Sequence, residues 1–319
     1  MKNYKVAVID TSINTNWLVD IAKDKIEIID YFEYKEKNVH CSLVINTIFK
    51  YTDKVDKIYA YNVFNSETQG SGIAVISALE DIIEKNDIDF LVMSMTLTNV
   101  ERYDRIKNLC EKIESLGVVI LVADSNRPQE GICYYPFSFN CVFGISSASF
   151  FKEPYYSIKN IQKKHISGDA TPEFILCGNN KYVLFGGTSK AAPKLLGIII
   201  ELYPFDSQKE GIADWLKNNT LTEEENCINI FTEDAVTDND IYCKLCSLIK
   251  HLSFDFINSE NLSASYRLDR LGSDNLVVLL NSVFEGLGLE EKPENLKYTD
   301  FFTMGNLCDY IERRLTHYE

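Results

Sequence analysis

Apolar residues between Tyr4 and Val122 alternate between short unbroken runs and longer stretches of helical spacing. Tyr4 to Ile9, Lys57 to Val63, Phe90 to Met95 and Val118 to Val122 have the length and the Val and Ile content of strands buried in a sheet. Ser42 to Tyr51, Ala74 to Lys85 and Asp104 to Leu116 repeat their apolar residues with the helical period. A strand, helix, strand rhythm of this kind predicts a parallel sheet flanked by helices, so the fold class is α/β.

Between Val122 and Gly187 the texture shifts to Gly, Pro, Ser and Asn around short apolar runs such as Cys141 to Ile145 and Tyr182 to Phe185, which predicts loops and hairpins at one end of the sheet. Helices are expected from Ser189 to Tyr203 and from Gln208 to Lys217. Asn218 to Asp240 is acidic and poor in core residues apart from Ile228 to Phe231, and reads as a tail and linker. From Ile241 onward, helical segments separated by loops fit a small all-α unit of roughly 80 residues. The expected division is residues 1–235 and 236–319.

Acidic residues outnumber basic ones by 47 to 32, a formal charge of −15 that argues against a nucleic-acid partner, since displacing counterions from phosphates needs clustered Lys and Arg. No early segment reads as a signal peptide and no apolar stretch is long enough to span a bilayer, so neither membrane insertion nor export is expected. Nine cysteines, an odd and scattered set, read as reduced thiols and favour the cytoplasm. Cys243 and Cys246 form a CxxC without a second ligand pair, and are expected to be small core residues of a helix. No cofactor and no metal site is expected.

Three segments place a reactive residue where an element starts or stops. Asp10 closes VAVID, His40 opens a helix in NVHCSLVINTIF, and Ser189 opens a helix in GGTSKAAPKLLGII. A serine hydroxyl needs a base to take its proton, and an imidazole base needs a carboxylate to fix its tautomer. Gly186 and Gly187 let the backbone approach a substrate, and Asn126 in ADSN is a candidate neutral donor for an oxyanion.

These segments resemble the subtilase family of serine peptidases. VAVIDTSI is similar to the family's aspartate motif, VHCSLVINTI to its histidine motif and GTSKAAP to its serine motif; FLVMSM and VVILVADSN match the substrate-strand and oxyanion segments. The order Asp, His, Ser is that of subtilisin, and the resemblance covers roughly residues 4 to 205. It implies a serine endopeptidase with Asp10 as orienting acid, His40 as general base, Ser189 as nucleophile and Asn126 as oxyanion donor. It also implies an S1 pocket walled by Ser94, Met95 and Thr96 on one side and Ala123, Asp124 and Ser125 on the other.

Five positions where the family usually has glycine or threonine differ: Ser12, Cys41, Ser42, Thr96 and Ser125. Lost glycines imply altered pockets rather than lost catalytic groups. The aspartate strand begins almost at Met1, without the N-terminal propeptide of exported members, which fits an intracellular enzyme. The segment from Tyr266 to Leu315 resembles an acyl or peptidyl carrier protein, yet Asn275 stands where that family has the serine that receives phosphopantetheine, so an inert carrier-like four-helix domain is expected. Its acidic surface could dock a protein partner. The function expected is narrow-specificity maturation of a peptide or protein precursor; the alternative is a non-catalytic peptide-binding pseudo-protease or a biosynthetic scaffold module.

Overall fold

The computed structural model describes residues 3–32, 39–66, 70–98, 100–126, 129–149, 153–205, 211–221, 240–251 and 263–316. The run Ile228 to Phe231 and the start of the helix expected from Gln208 lie outside them. The chain forms two compact units.

The first unit, Met1–Thr171 with Cys177–Asn179 and Gly186–Asn226, is built on an eight-stranded sheet. Its strands are β1 Tyr4–Asp10, β2 Ile26–Asp30, β3 Val55–Asn62, β4 Phe90–Met93, β5 Val119–Ala123, β6 Phe143–Ala148, β7 Tyr156–Asn160 and β8 His165–Asp169. They lie in the order β2-β3-β1-β4-β5-β6-β8-β7, all parallel except the antiparallel β7–β8 pair at one edge. The α/β class read from the sequence is therefore observed. The central strands match the expected runs; β2, β7 and β8 were not foreseen, because β2 and β7 are half-exposed edge strands and β8, HISGD, carries little apolar signal.

Helices cover both faces of the sheet, and the unit also has the short helices α1 Asp20–Lys23 and α6 Ile212–Asn218, the latter overlapping the stretch expected to be helical up to Lys217. Ala7 and Ile9 of β1 join Tyr59, Leu91 and Val122 in one apolar cluster with α3 Gly72–Lys85 and α4 Tyr103–Ser115. Val6 and Val8 point to the opposite face by strand alternation, where α2 His40–Tyr51 and α5 Thr188–Leu202 pack. All four of these β1 residues are fully buried, each larger one contributing about 1.5–3 kcal/mol by burial. After β1 the chain first builds the β3 side and later the β4 side, so a topological switch point opens at the carboxyl ends of β1 and β4. Open α/β sheets bind their ligands at such points.

The second unit is helical, as expected, with α7 Asp240–His251, α8 Ser273–Gly286, α9 Tyr298–Phe301 and α10 Met304–Thr316. It also holds most of a hairpin of β9 Glu173–Cys177 and β10 Lys181–Phe185, which the sequence had suggested as part of the sheet's own end loops. Phe174 explains the difference: it is fully buried in the helical core, with its ring 5.0 Å from that of Phe301. Of the two CxxC residues expected in the core, Cys246 is half-buried and packs against the helical cluster, whereas Cys243 is exposed and corrects the expectation. Ile241, Leu245 and Ile249 line the buried face of α7, and Cys243 stands about 200° around the helix from Ile241. Among the described residues no helix is long and apolar enough to cross a membrane.

Candidate active site

Asp10 is the last residue of β1, one position past the Ile9–Met93 pairing with β4, and only 1% exposed. Its Oδ1 lies 2.9 Å and its Oδ2 3.1 Å from His40 Nδ1, while Oδ1 also accepts the Thr11 N–H at 2.5 Å. A carboxylate in that position accepts a hydrogen bond from Nδ1–H, which keeps the proton on Nδ1 and leaves the lone pair on Nε2. Burial alone would lower the pKa of His40, but attraction to Asp10 and the hydrogen bond between them outweigh it, and the imidazole sits above its ordinary value.

Both catalytic-motif helices begin at this edge of the sheet. Ser94, the residue after β4, donates its hydroxyl to the backbone carbonyl of Ser189 at 3.1 Å. That carbonyl would normally accept the N–H four residues on, but position 193 is proline and has none. The Ser94 side chain thus satisfies the acceptor that Pro193 leaves open. Farther along, a Cβ on Gly197 would fall 2.6 Å from Tyr51 Cβ and 3.2 Å from the Ile48 carbonyl, so α5 and α2 approach closely there. Ile48 lies eight residues from His40 and Gly197 eight from Ser189, about 12 Å of helix in each case. Running the same way from the same edge, the two helices bring their first turns level.

Asn126, exposed beyond the end of β5, accepts the Thr188 N–H through Oδ1 at 2.9 Å; the Thr188 hydroxyl lies between that oxygen at 2.9 Å and the Asp124 carbonyl at 2.8 Å. With its oxygen engaged by Thr188, the amide keeps Nδ2 as its donor group. Gly187 makes this possible: its φ is +81°, and a Cβ there would stand 2.7 Å from Asn126 Oδ1. A bond from Ser189 Oγ to the imidazole is not among those the described residues make; in ligand-free peptidases such a bond commonly tightens only with substrate bound.

The residues expected to wall an S1 pocket have mixed surroundings. Ser94 is committed to Ser189, and Met95 is buried in the apolar cluster under α3 and α4. Thr96, Asp124 and Ser125 are half-buried, and Ala123 is buried at the end of β5. Burial pushes the Asp124 carboxyl above the usual range, opposed by its bond from the Ser125 N–H at 2.7 Å and by Lys159 and His165. Leu97 exchanges backbone hydrogen bonds with Tyr135 and fixes the segment after Thr96. Of the altered motif positions, Ser42 gains a role, donating to the Asn14 carbonyl at 3.0 Å and accepting its N–H at 3.2 Å. Among the described residues no cluster of His, Cys, Asp or Glu could hold a metal ion.

Thr188 and a buried charge cluster of Asp169, Lys190 and Lys194 were not foreseen from the sequence. The signal was present in the serine motif, where two lysines four residues apart stand on an otherwise apolar helix and so call for a buried acid.

Comparison with known proteins agrees with this architecture. No curated protein sequence matches the chain. Among solved structures it is similar to the prenylagaramide maturation protease PagA, with 14% identity, coverage of 71% of this chain and 87% of that one, and a TM-score of 0.52. It is also similar to sphericase, with 16% identity, coverage of 68% and 81%, and a TM-score of 0.50. At such identities the likeness is one of fold. The sequence model of the subtilase family matches residues 1–239, three quarters of the length, and the chain therefore belongs to the subtilase family and is a serine endopeptidase.

Proposed function

We propose that Ser189 is the nucleophile of an intracellular endopeptidase that trims one or a few peptide precursors, with His40 as its base, Asp10 as the orienting acid and Asn126 as an oxyanion donor. The observation that carries this reading is the bond from His40 Nδ1 to the buried carboxylate of Asp10, at the edge where α5 begins. His40 Nε2 takes the proton from Ser189 Oγ as that oxygen bonds to the substrate carbonyl carbon. The carbonyl oxygen becomes an oxyanion, which Nδ2 of Asn126 and the N–H groups at the start of α5 stabilise. Breaking the C–N bond releases the amine with the proton from His40, and water then repeats the sequence on the acyl-enzyme.

Narrow specificity is supported by Thr96 and Ser125, whose side chains stand where the family's pocket walls usually have glycine. Precursor maturation is supported by the fold shared with PagA, a maturation protease; scattered thiols support a reducing compartment. The second unit is read as carrier-like, inert as a carrier and suited to docking a partner. Asn275 offers an amide where attachment needs a hydroxyl, donating from Nδ2 to the Leu271 carbonyl at 3.1 Å, and the nearby Ser273 hydroxyl accepts the Leu184 N–H at 3.0 Å.

Fluorophosphonate labelling of wild type and Ser189→Ala tests the assignment. Wild type should label covalently and the variant should not, with both folded by circular dichroism. Equal labelling would refute Ser189 as nucleophile.

A further inference from the structure

Three ionic side chains meet inside the first unit, directly behind the serine motif. Lys190, fully buried, donates from Nζ to Asp169 Oδ2 at 2.8 Å and to the Thr171 carbonyl at 2.6 Å. Lys194, one turn along α5, donates to the same Oδ2 at 2.7 Å, and its ammonium lies 4.0 Å from the ring centre of Tyr155 and 5.0 Å from that of Tyr51. Asp169 accepts the Thr171 N–H through Oδ1 at 2.9 Å, and attraction to the two ammonium groups outweighs burial to hold its carboxyl below the usual range.

Stability alone is a weak reason for such an arrangement. Desolvating three charges is costly, and apolar side chains of similar volume often serve a core as well or better. What directional bonds supply, and apolar contacts do not, is a fixed position. The segment pinned here, Asp169 to Thr171, is the one whose Ala170 carbonyl accepts the Gly187 N–H at 2.9 Å, while the Ala170 N–H is tied to the Ala148 carbonyl at 2.8 Å. Gly187 and Lys190 bracket Ser189, so both sides of the serine are bonded to one three-residue segment at the end of β8. Gly168 lets α5 come that close, since a Cβ there would lie 3.1 Å from Ala191 Cβ.

We propose that Asp169 and Lys190 are positioning residues for Ser189, setting where its Oγ stands relative to His40; Lys194 completes the charge cluster without setting that position. The proposal rests on Ser189 being the nucleophile. A displacement of about 1 Å in a reacting group can cost two orders of magnitude in rate. Lys190→Met and Lys194→Met each remove one positive charge from the same carboxylate oxygen, so they separate placement from charge.

The test is kcat per active site titrated with fluorophosphonate, and KM, on one peptide substrate, with Ser189→Ala as control. Lys190→Met should lower kcat 10- to 100-fold with KM within twofold and an unshifted acid limb of the pH profile; Lys194→Met should keep kcat within threefold. Asp169→Asn, which keeps the shape and an acceptor for the Thr171 N–H, should resemble Lys190→Met, and it serves if Lys190→Met does not fold. A purely structural cluster would lower melting temperature and the titratable fraction while sparing kcat per titrated site, and that result overturns the proposal. Equal loss from the two lysine variants overturns it too, as does failure of both Lys190→Met and Asp169→Asn to fold, which would make the cluster a requirement of folding. Labelling that persists in Ser189→Ala removes the underlying nucleophile reading instead, and the proposal with it.

Discussion

Helices α5 and α8 both start one residue after a glycine of positive φ, Gly187 at 81° and Gly272 at 76°, each with an extended ψ. Both first turns carry hydroxyl groups, Thr188 and Ser189 in one and Ser273 in the other. Their surroundings differ. A Cβ on Gly187 would meet the amide of Asn126, whereas among the described residues nothing lies within 4 Å of the corresponding point on Gly272. In α8 the polar groups are used locally, Ser273 on the Leu184 N–H and Asn275 on the Leu271 carbonyl. In α5 the neighbours are a committed amide, a serine that replaces a missing helix donor, and a buried charge cluster. One backbone device thus opens two helices, and the groups brought around it from distant strands give the first turn of α5 a setting that α8 lacks.

The sharpest way to break the comparison is to remove the serine from each helix. Ser189→Ala should lower turnover by about 10⁶-fold, the scale for losing a triad nucleophile. Ser273→Ala should leave turnover unchanged and cost the second unit about 1 kcal/mol, for one hydrogen bond, in denaturant melts. Turnover that depended equally on both would dissolve the distinction.

Next in size is the carboxylate that reaches only the first site. Asp10→Asn should cost about 10⁴-fold in kcat by upsetting the tautomer of His40. His40 must be neutral to accept a proton, so activity rises with pH through its pKa, which Asp10 holds above the ordinary value. Without that attraction burial remains, and the acid limb of kcat/KM should move to lower pH in Asp10→Asn. A limb that stays in place would show that another group sets it.

The glycines come third. A non-glycine residue in this backbone region costs about 1–3 kcal/mol in strain at either position. Gly187→Ala must also push Asn126 aside, so it should reproduce the loss of Asn126→Ala, about 10²- to 10³-fold in turnover or roughly 3–4 kcal/mol. Gly272→Ala should melt the second unit earlier and leave kcat alone. If Asn126→Ala retains near-normal turnover, its side chain is not the oxyanion donor.

The legible parts of this molecule were those written in local pattern. YKVAVID shows a strand buried on both faces ending in an acid, and the spacing in HCSLVINTIFKY and in TSKAAPKLLGIII shows the two helices that carry His40 and Ser189. Edge strands were not legible, since YSIKN and IEIID are half-exposed and lack a continuous apolar run. Nor was the pairing of Asp169 with Lys190 and Lys194, because a contact across about 20 residues of hairpin and loop is made by the tertiary fold and leaves no periodic trace. Cys243 was misplaced for a related reason: helical spacing was right, but which side of α7 would be covered depended on α8 and α10, which pack against it.

Carrier chemistry offers a fourth test. Incubation with a phosphopantetheinyl transferase and coenzyme A should leave the intact mass unchanged, since Asn275 has no hydroxyl and the Ser273 hydroxyl is bonded to Leu184. A gain of one pantetheine arm would show that the first turn of α8 is reactive after all.

The smallest expected effect lies at the rim of the first site. Asp124 follows β5 two residues before Asn126, and its own carbonyl faces the Thr188 hydroxyl, so its backbone belongs to the framework that holds the Asn126 amide. A carboxylate there favours a Lys or Arg side chain at P1 through a charge-assisted hydrogen bond. Because the group is half-buried and already near Lys159 and His165, the gain should stay close to that of a surface pair, about 1 kcal/mol or fivefold in kcat/KM. Its pKa supplies the signature. Burial raises it, so the preference, present while Asp124 is ionised, should fade on acidification at a higher pH than an ordinary carboxylate would allow. A P1 library profiled at neutral and mildly acidic pH decides the matter. A basic preference that weakens with acid and disappears in Asp124→Ala supports the assignment, and a profile indifferent to charge at both pH values removes Asp124 from the pocket.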